Sequence, residues 1–412
     1  DVFILKEEIE MKEIVILGAG YAGLRALHVL QKSGADIHIS LVDRNDYHYE
    51  STSLHEVAAG TQPDEKICYA IKDVVNPKKT TFIKDTVEKI DADEKKVYLE
   101  NQTLTYDYLI VALGFQSESF GIPGVKENSL EMVDVKTADQ VHKHIIEQMK
   151  QYKETKNEEY LRIVVCGAGF TGIELVGALV EGSKSFADIA GVKPEDIQIY
   201  CVEAVDKILP MFSEKLGQYC LDHLNKWDVQ LLTGKPIKKV EPGAVIYQNS
   251  KEDENDLVAL KAKTIIWTTG VSGSQVIGDS GFEERRGRVM VKPNLTDPNH
   301  DDVYLLGDVS AVMDPSSNRP YPTTAQIALK MGSYAGKDIL NQMKGQPSKP
   351  FSFKSLGSVA SIGNTHAFGV VGKTEVTAYP ASFIKKAIMD RSLFETGGVK
   401  EVMAKGRFDF YH

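Results

Sequence analysis

An α/β chain of two Rossmann-like dinucleotide-binding units is predicted by three features: two glycine-rich turns of the form G-x-G-x-x-G, an apolar strand leading into each, and helical apolar spacing leading out. The first unit starts at Met11. Residues 13–31, EIVILGAGYAGLRALHVLQ, read as a strand, then Gly18, Gly20 and Gly23, then a helix. The first glycine permits the tight turn, the second lets a pyrophosphate approach the backbone, and the third lets helix pack on strand. Twenty residues after Gly23, Asp43 closes the strand IHISLVD, where a carboxylate suits a ribose hydroxyl. A glycine turn before a helix can be purely structural, but strand, helix and acidic residue together favour a bound dinucleotide.

The second unit repeats the plan in residues 161–182, LRIVVCGAGFTGIELVGALVEG, with Gly167, Gly169 and Gly172. Its acidic residue, Glu203, ends the strand IQIYCVEA 31 positions after Gly172, and the polar stretch 183–196, SKSFADIAGVKPED, reads as a surface loop that absorbs the excess. A carboxylate here favours a free 2′-hydroxyl, and no Arg follows to meet a 2′-phosphate, so NADH is expected over NADPH. Two such sites on one chain imply an electron relay, for which a flavin is the usual hydride acceptor.

At 412 residues the chain can hold two or three domains. A net charge of −10 with dispersed Lys and Arg gives no footprint for nucleic acid. Cys68, Cys166, Cys201 and Cys220 lie too far apart for a disulfide scaffold, a zinc cluster or a redox dithiol, so reduced thiols facing the cytosol and no metal are expected. His142 and His144 lack an accompanying ligand pattern; His48 and His55 could touch a flavin or relay protons, but read first as packing or surface residues. No run approaches the roughly eighteen apolar residues of a bilayer span. Residues 1–10, DVFILKEEIE, lack the basic start of a cleavable signal and read as an extension without a role.

Three further segments carry a resemblance. Residues 106–124, YDYLIVALGFQSESFGIPG, look like the strand and turn that close the FAD domain of two-dinucleotide flavoprotein reductases. Residues 264–271, TIIWTTGV, resemble the crossing back from their NADH domain, and residues 302–311, DVYLLGDVSA, the segment whose Asp, here Asp308, bonds the ribityl chain of FAD. Within that superfamily, YPTTAQIALKMG at 321–332 and SLGSVASIGNTHA at 355–367 are similar to type II NADH dehydrogenases, the single-subunit NADH:quinone oxidoreductases. Their Ala-Gln-x-Ala-x-Gln motif lies over the flavin. Ala325, Gln326 and Ala328 match it, and Lys330 replaces the last Gln, either to stabilise anionic reduced flavin or a quinone oxygen, or as a solvated helix residue.

The resemblance implies an FAD domain of residues 11–121 and 285–344 and an NADH domain of 122–284. It implies non-covalent FAD on Gly18, Gly20, Tyr21, Ala22, Gly23, Asp43, Arg44, Ala112, Leu113, Gly114, Gly307, Asp308, Ala325, Gln326 and Ile327. NADH, the substrate, is assigned to Gly167, Gly169, Phe170, Thr171, Gly172, Glu174, Glu203, Thr269 and Gly270. The implied reaction is hydride transfer from nicotinamide C4 to flavin N5, then reduction of a membrane quinone without proton pumping. Gln326 and Lys330 are the expected quinone partners, with Ile384 and Ile388 as apolar walls. Two other readings remain: a sulfide:quinone oxidoreductase, disfavoured because no cysteine follows Cys220, and an NADH-sensing or apoptosis-type flavoprotein.

Glu174 is an awkward residue, for it stands two positions past Gly172 in what reads as the first helical turn. Two residues rotate a helix by roughly 200°, so the side chain should point away from the face packed on the sheet. Aimed at a pyrophosphate 4 Å away it would meet about 4 kcal/mol of repulsion, against about 0.3–1 kcal/mol returned by the helix N-terminus. It should therefore face the nicotinamide, flavin and quinone region, to orient nicotinamide or pass a proton; a solvated first-turn Glu is the plainer alternative. The equivalent position after the first turn is Arg25.

The tail, residues 345–412, reads as a membrane-associating region that is also a candidate for dimerisation. From Lys344 onward it carries ten Lys and Arg against five Asp and Glu. In ASFIKKAIMDRSLF, residues 381–394, Phe383, Ile384, Ala387, Ile388 and Phe394 fall near one helical face with Lys385, Lys386 and Arg391 at its edges. Such a helix suits a bilayer interface with anionic headgroups, at about 1 kcal/mol per basic residue, or packing on the core or a second subunit. A homodimer held peripherally on the cytoplasmic face of the cell membrane is the expectation.

Overall fold

A computed structural model describes residues 11–408; the extension 1–10 and residues 409–412 lie outside the described residues. The chain runs β1 (Lys12–Leu17), α1 (Tyr21–Gln31), β2 (Ile37–Asp43), α2 (Leu54–Ala59), β3 (Thr80–Lys84) and β4 (Tyr108–Val111). It crosses by β5 (Phe115–Ser117) into a second unit of β6 (Leu130–Glu131), β7 (Arg162–Cys166), α3 (Phe170–Ala190), β8 (Gln198–Val202), β9 (Gln230–Leu232) and β10 (Thr264–Trp267). It returns through β11 (Val271–Gly273) to β12 (Val303–Leu305) and α4 (Ala325–Gln342). A meander of β13 (Gly357–Ile362), β14 (His366–Val371) and β15 (Thr374–Thr377) and a helix, α5 (Ala378–Lys405), complete it.

The two units share one scheme. The first sheet is parallel in the order β12-β4-β1-β2-β3, the second in the order β6-β10-β7-β8-β9. Each glycine strand is central, with Ile14 paired to Ile39 and Val164 to Tyr200. Ile14, Val15, Ile16 and Leu17 are wholly buried, as a strand covered on both faces requires. Each glycine turn thus lies at the carboxyl end of a central strand, where the chain order reverses and a crevice opens.

Three expectations are corrected here. The return to the first unit precedes residue 285, because Ile277 joins Val15 and Leu17 in the first core and the Ile90 N–H donates to Ser280 Oγ. The supposed surface loop at 183–196 is largely the second half of α3: Ser183, Phe186, Ala187 and Ala190 are buried at helical spacing, and Gly191, at φ +74°, ends the helix. Phe186 supplies the driving force, since a loop would leave it in water.

The third correction is the orientation of α5. Phe383, Ile388 and Phe394 are exposed, but Lys386, Ser382, Ser392, Thr396 and Glu401 are buried, so the polar side faces the protein. Lys385 and Lys386 point inward rather than toward headgroups, and Ile384 turns partly in against Val359, Ala367 and Ala381. Charged partners beneath the chain explain the inversion: Lys385 meets Glu174, and just past the end of α5 Arg407 meets Glu56. No helix among the described residues is long and apolar enough to cross a membrane.

Candidate active site

The glycines of each turn divide by what a Cβ would meet. Gly18 and Gly167 hold φ near +100° (+100° and +108°), a conformation that favours glycine. A Cβ on Gly23 would stand 1.9 Å from Gly18 O, and one on Gly172 1.9 Å from Gly167 O, so both allow helix and strand to close. At Gly20 and Gly169 nothing lies within 4 Å, so each is open on the side where a phosphate would approach. The carboxylates close the turns alike: the Ala19 N–H donates to Asp43 at 2.8 Å and the Ala168 N–H to Glu203 at 2.7 Å. Burial lifts the Asp43 carboxyl above its ordinary range against the pull of the Ala19 and Asn45 amides.

Around the first turn lies a cleft of about 420 Å³. Gly18, Gly20, Tyr21, Ala22, Asp43, Arg44, Ala112, Leu113, Gly114, Gly307 and Asp308 line it. Gly23 sits beneath the turn. The wall supplied by α4 is Ala328; the Ile327 side chain is buried in the first core and its N–H bonds the Thr324 cap, and Ala325 and Gln326 lie outside the lining. Asp308 is pushed above the usual carboxylate range by burial, with Arg288 and Thr323 opposing. The open cradle at Gly20, bordered by the half-buried carboxylates of Asp43 and Asp308, fits the diphosphate and hydroxyls of FAD.

His48 is a wall residue that sequence reasoning assigned to packing. It is buried, with Nδ1 2.8 Å from Ala19 O, and it lines the cleft beside Tyr49, Thr86 and Ser274. A single histidine in a short strand carries no local signal that separates the two roles. At the second turn Thr269 Oγ1 is buried without a partner among the described residues, a free donor beside Gly270. Phe170 packs edge-on against Phe212, and Thr171 is exposed.

Glu174 occupies the fifth position of α3, one residue beyond the expected first turn. Gly172 faces its own turn and Glu174 turns from it toward the meander, buried there and outside the lining of the flavin cleft. Lys385 Nζ lies 2.8 Å from its Oε1, the Ser361 N–H and Oγ donate to that oxygen at 3.0 and 3.1 Å, and His55 Nδ1 is 3.9 Å from Oε2. Burial would raise this carboxyl, but Lys385, His55 and the hydrogen bonds together hold it below the usual value.

The edge of β13 opposite β14 gathers the remaining candidates. The Gln326 amide donates to Gly357 O at 3.5 Å and accepts from the Leu356 N–H at 2.8 Å. Lys385 donates to Val359 O at 3.2 Å, and Glu174 receives the Ser361 N–H. Residues 357, 359 and 361 point the same way from the strand, so α4, α5 and α3 each place one polar side chain along it. Lys330 is exposed and stands apart from these contacts, as does the exposed Ile388.

Two nucleotide turns in parallel sheets of the same scheme, with a cleft at the first, point to a pyridine-nucleotide-dependent flavoprotein oxidoreductase. Residues 12–332 match the family model described as pyridine nucleotide-disulphide oxidoreductase. Within it the chain belongs to the type II NADH:quinone oxidoreductases, FAD flavoproteins with NADH as substrate. It is 38% identical over 404 residues to the type II NADH:quinone oxidoreductase of Staphylococcus saprophyticus, covering 97% of this chain and 99% of that one. Among solved structures, NDH2 from Plasmodium falciparum in complex with NADH superposes with a TM-score of 0.83 at 18% identity, over 97% and 99% of the two chains. The sulfide:quinone oxidoreductase of Aquifex aeolicus reaches 0.75 at 19% identity over 96% of each. At such identities the last two likenesses speak to the fold alone.

Proposed function

We propose that FAD occupies the first cleft, that NADH lies on the second glycine turn, and that a membrane quinone is reduced beside the β13 edge. FAD when bound supplies the two-electron chemistry. The chain's own residues hold and orient. Gly20 and Gly169 leave room for phosphates, Asp43 and Glu203 fix the turns and present carboxylates to ribose, and Asp308 faces the ribityl region. Gln326 would hold a quinone carbonyl, and Glu174, ionised and paired with Lys385, would orient that lysine as the proton donor, with Ile384 and, further out, Ile388 as apolar walls and Lys330 at the solvent margin.

The observation that carries this reading is the β13 edge, because it brings polar groups from both nucleotide units to the foot of a helix whose outer face is apolar. The deciding assay follows NADH oxidation by flavin-loaded protein with a soluble quinone analogue, run in parallel with sulfide as donor. Sustained turnover with NADH and none with sulfide is expected. Turnover with sulfide alone would make it a sulfide:quinone oxidoreductase, and a single reduction without turnover would make it a sensor.

A quinone substrate, as the relatives' name implies, places the chain at a membrane surface. For this chain, Phe383, Ile388, Phe394, Val399 and Met403 on the outer side of α5 would enter the bilayer interface, with Arg391 near headgroups. Four free cysteines suit a reducing compartment, and thus the cytoplasmic face of the cell membrane. Replacing Phe383 and Phe394 by Ser should release the protein from anionic vesicles in a flotation assay, by about tenfold or more in partition. Unchanged flotation, or a dimer that dissociates on the same substitutions, would assign this face to a second copy of the chain instead.

A further inference from the structure

The helices that follow the two glycine turns both reach α5, through residues at the same position and of opposite charge. Two residues past Gly172, Glu174 holds Lys385; two residues past Gly23, Arg25 lies 3.7 Å from Glu395, through Nε and Oε2. Lys385 and Glu395 are ten residues apart, about 15 Å along the helix and about 80° around it, so α5 is read from two sides. Packing agrees with the ion pairs. Ala381 in the first half of α5 packs with Val359 and Ala367 of the meander, and Leu393 in the second half packs with the core that contains Leu24 and Leu27 of α1.

Arg25 is itself fixed from behind. A Cβ on Gly332 would stand 2.2 Å from Ala22 O and 3.0 Å from Arg25 Cβ, so α4 presses directly on the turn of α1 that carries the arginine. Arg25 and Glu395 are both largely buried, and Glu395 also accepts from Arg391 at 3.0 Å within α5. The chain therefore has, between α1 and the outer helix α5, a looser counterpart of the Glu174–Lys385 contact, an ion pair at 3.7 Å in which Arg25 Nε makes no hydrogen bond among the described residues.

We infer that α5 is a crossbar clamped to both nucleotide units, and that Arg25 and Glu395 are positioning residues for quinone reduction. They act by setting where the carboxyl half of α5, with Phe394 on its outer side, lies over α1 and α4, and through the continuous helix how Ile388, just before that half, is held. The inference rests on the quinone reading above. Neither residue lines the flavin cleft, so their loss should leave cofactor and NADH untouched and loosen only the quinone side.

The test uses flavin-loaded Arg25→Ala, Glu395→Ala, the double variant and Arg25→Lys. Each alanine variant should raise the KM for a quinone analogue by about three- to fivefold, the scale of a part-buried pair, with unchanged flavin content, unchanged KM for NADH and unchanged turnover with ferricyanide. The double variant should be no worse than the poorer single one, and Arg25→Lys should recover most of the loss. Hydrogen exchange supplies an independent reading of the clamp: faster exchange at amides 391–398, with 381–388 as before. Unaltered quinone KM, an equal rise in KM for NADH, multiplicative single effects, or unaltered exchange at 391–398 overturns the inference. Absence of quinone turnover in the unmodified protein overturns the quinone reading instead, and the exchange arm still judges the clamp.

Discussion

Gly23→Ala should give a protein without flavin, whereas Gly172→Ala should keep its flavin and lose the ability to have it reduced by NADH. Both substitutions add a Cβ 1.9 Å from a carbonyl oxygen of the same turn, Gly18 O in one case and Gly167 O in the other. The neighbour is backbone and cannot swing aside, so helix must separate from strand at about 1–3 kcal/mol or more, and the phosphate cradle opens with it. Leu24 and Leu27 of α1 pack in the first unit's core and Ile173 and Leu175 of α3 in another, so each lesion acts first on its own turn, although Leu54, Val57 and Ala59 of α2 join the second core. The ratio of flavin to protein absorbance and anaerobic bleaching by NADH read the two outcomes. Gly20→Ala sharpens the comparison, because its Cβ meets nothing within 4 Å of protein. That variant should fold with near-normal stability and still bind FAD poorly; equal flavin content in all three would refute the assignment of the cleft.

Lys385→Met should destabilise the protein by about 3–5 kcal/mol, by stranding the Glu174 carboxylate in a buried site. The pH dependence should reverse sign as well. In the unmodified protein the folded Glu174 carboxyl titrates below its ordinary value, so its contribution is full above the unfolded pKa of about 4.3 and fades as pH falls through the folded one. Without Lys385, burial dominates and the folded carboxyl titrates above its unfolded value. The deficit should then be smallest in acid and grow as pH rises through the unfolded value. Thermal melts near pH 4.5 and near pH 7.5 measure this, and Glu174→Gln in the same chain should recover most of the loss. A deficit independent of pH would mean that the substitution acts through packing rather than through charge.

Much of the nucleotide-binding half was legible because its code is local. Gly18 to Gly23 and Gly167 to Gly172 each state a turn, an opening and a close approach within six residues, and Asp43 and Glu203 follow at strand ends. Even the length of α3 was written in the buried spacing of Ser183, Phe186, Ala187 and Ala190, although the polar residues between them suggest a loop. The tail was legible only in part. Periodicity finds an apolar stripe on α5 but is silent on which side meets the protein, and Glu174 and Lys385, more than two hundred positions apart, carry no joint signal in a single sequence. The Ala328 wall was visible in the motif, yet the inward turn of Ile327 depends on how α4 packs on α1 through Gly332 and Gly336.

The unpaired side of β13 has a consequence for the life of the protein in a crowded cell. An exposed strand edge is a template onto which another chain can add, and natural sheets blunt such edges. Here Gln326, Lys385 and Glu174 take up the donors and acceptors at 357, 359 and 361, so the side chains beside the proposed quinone site also serve as a stopper against runaway self-association. Selection at these three positions therefore answers to solubility during synthesis as well as to turnover, and a substitution chosen for kinetics can lower yield before any rate is measured.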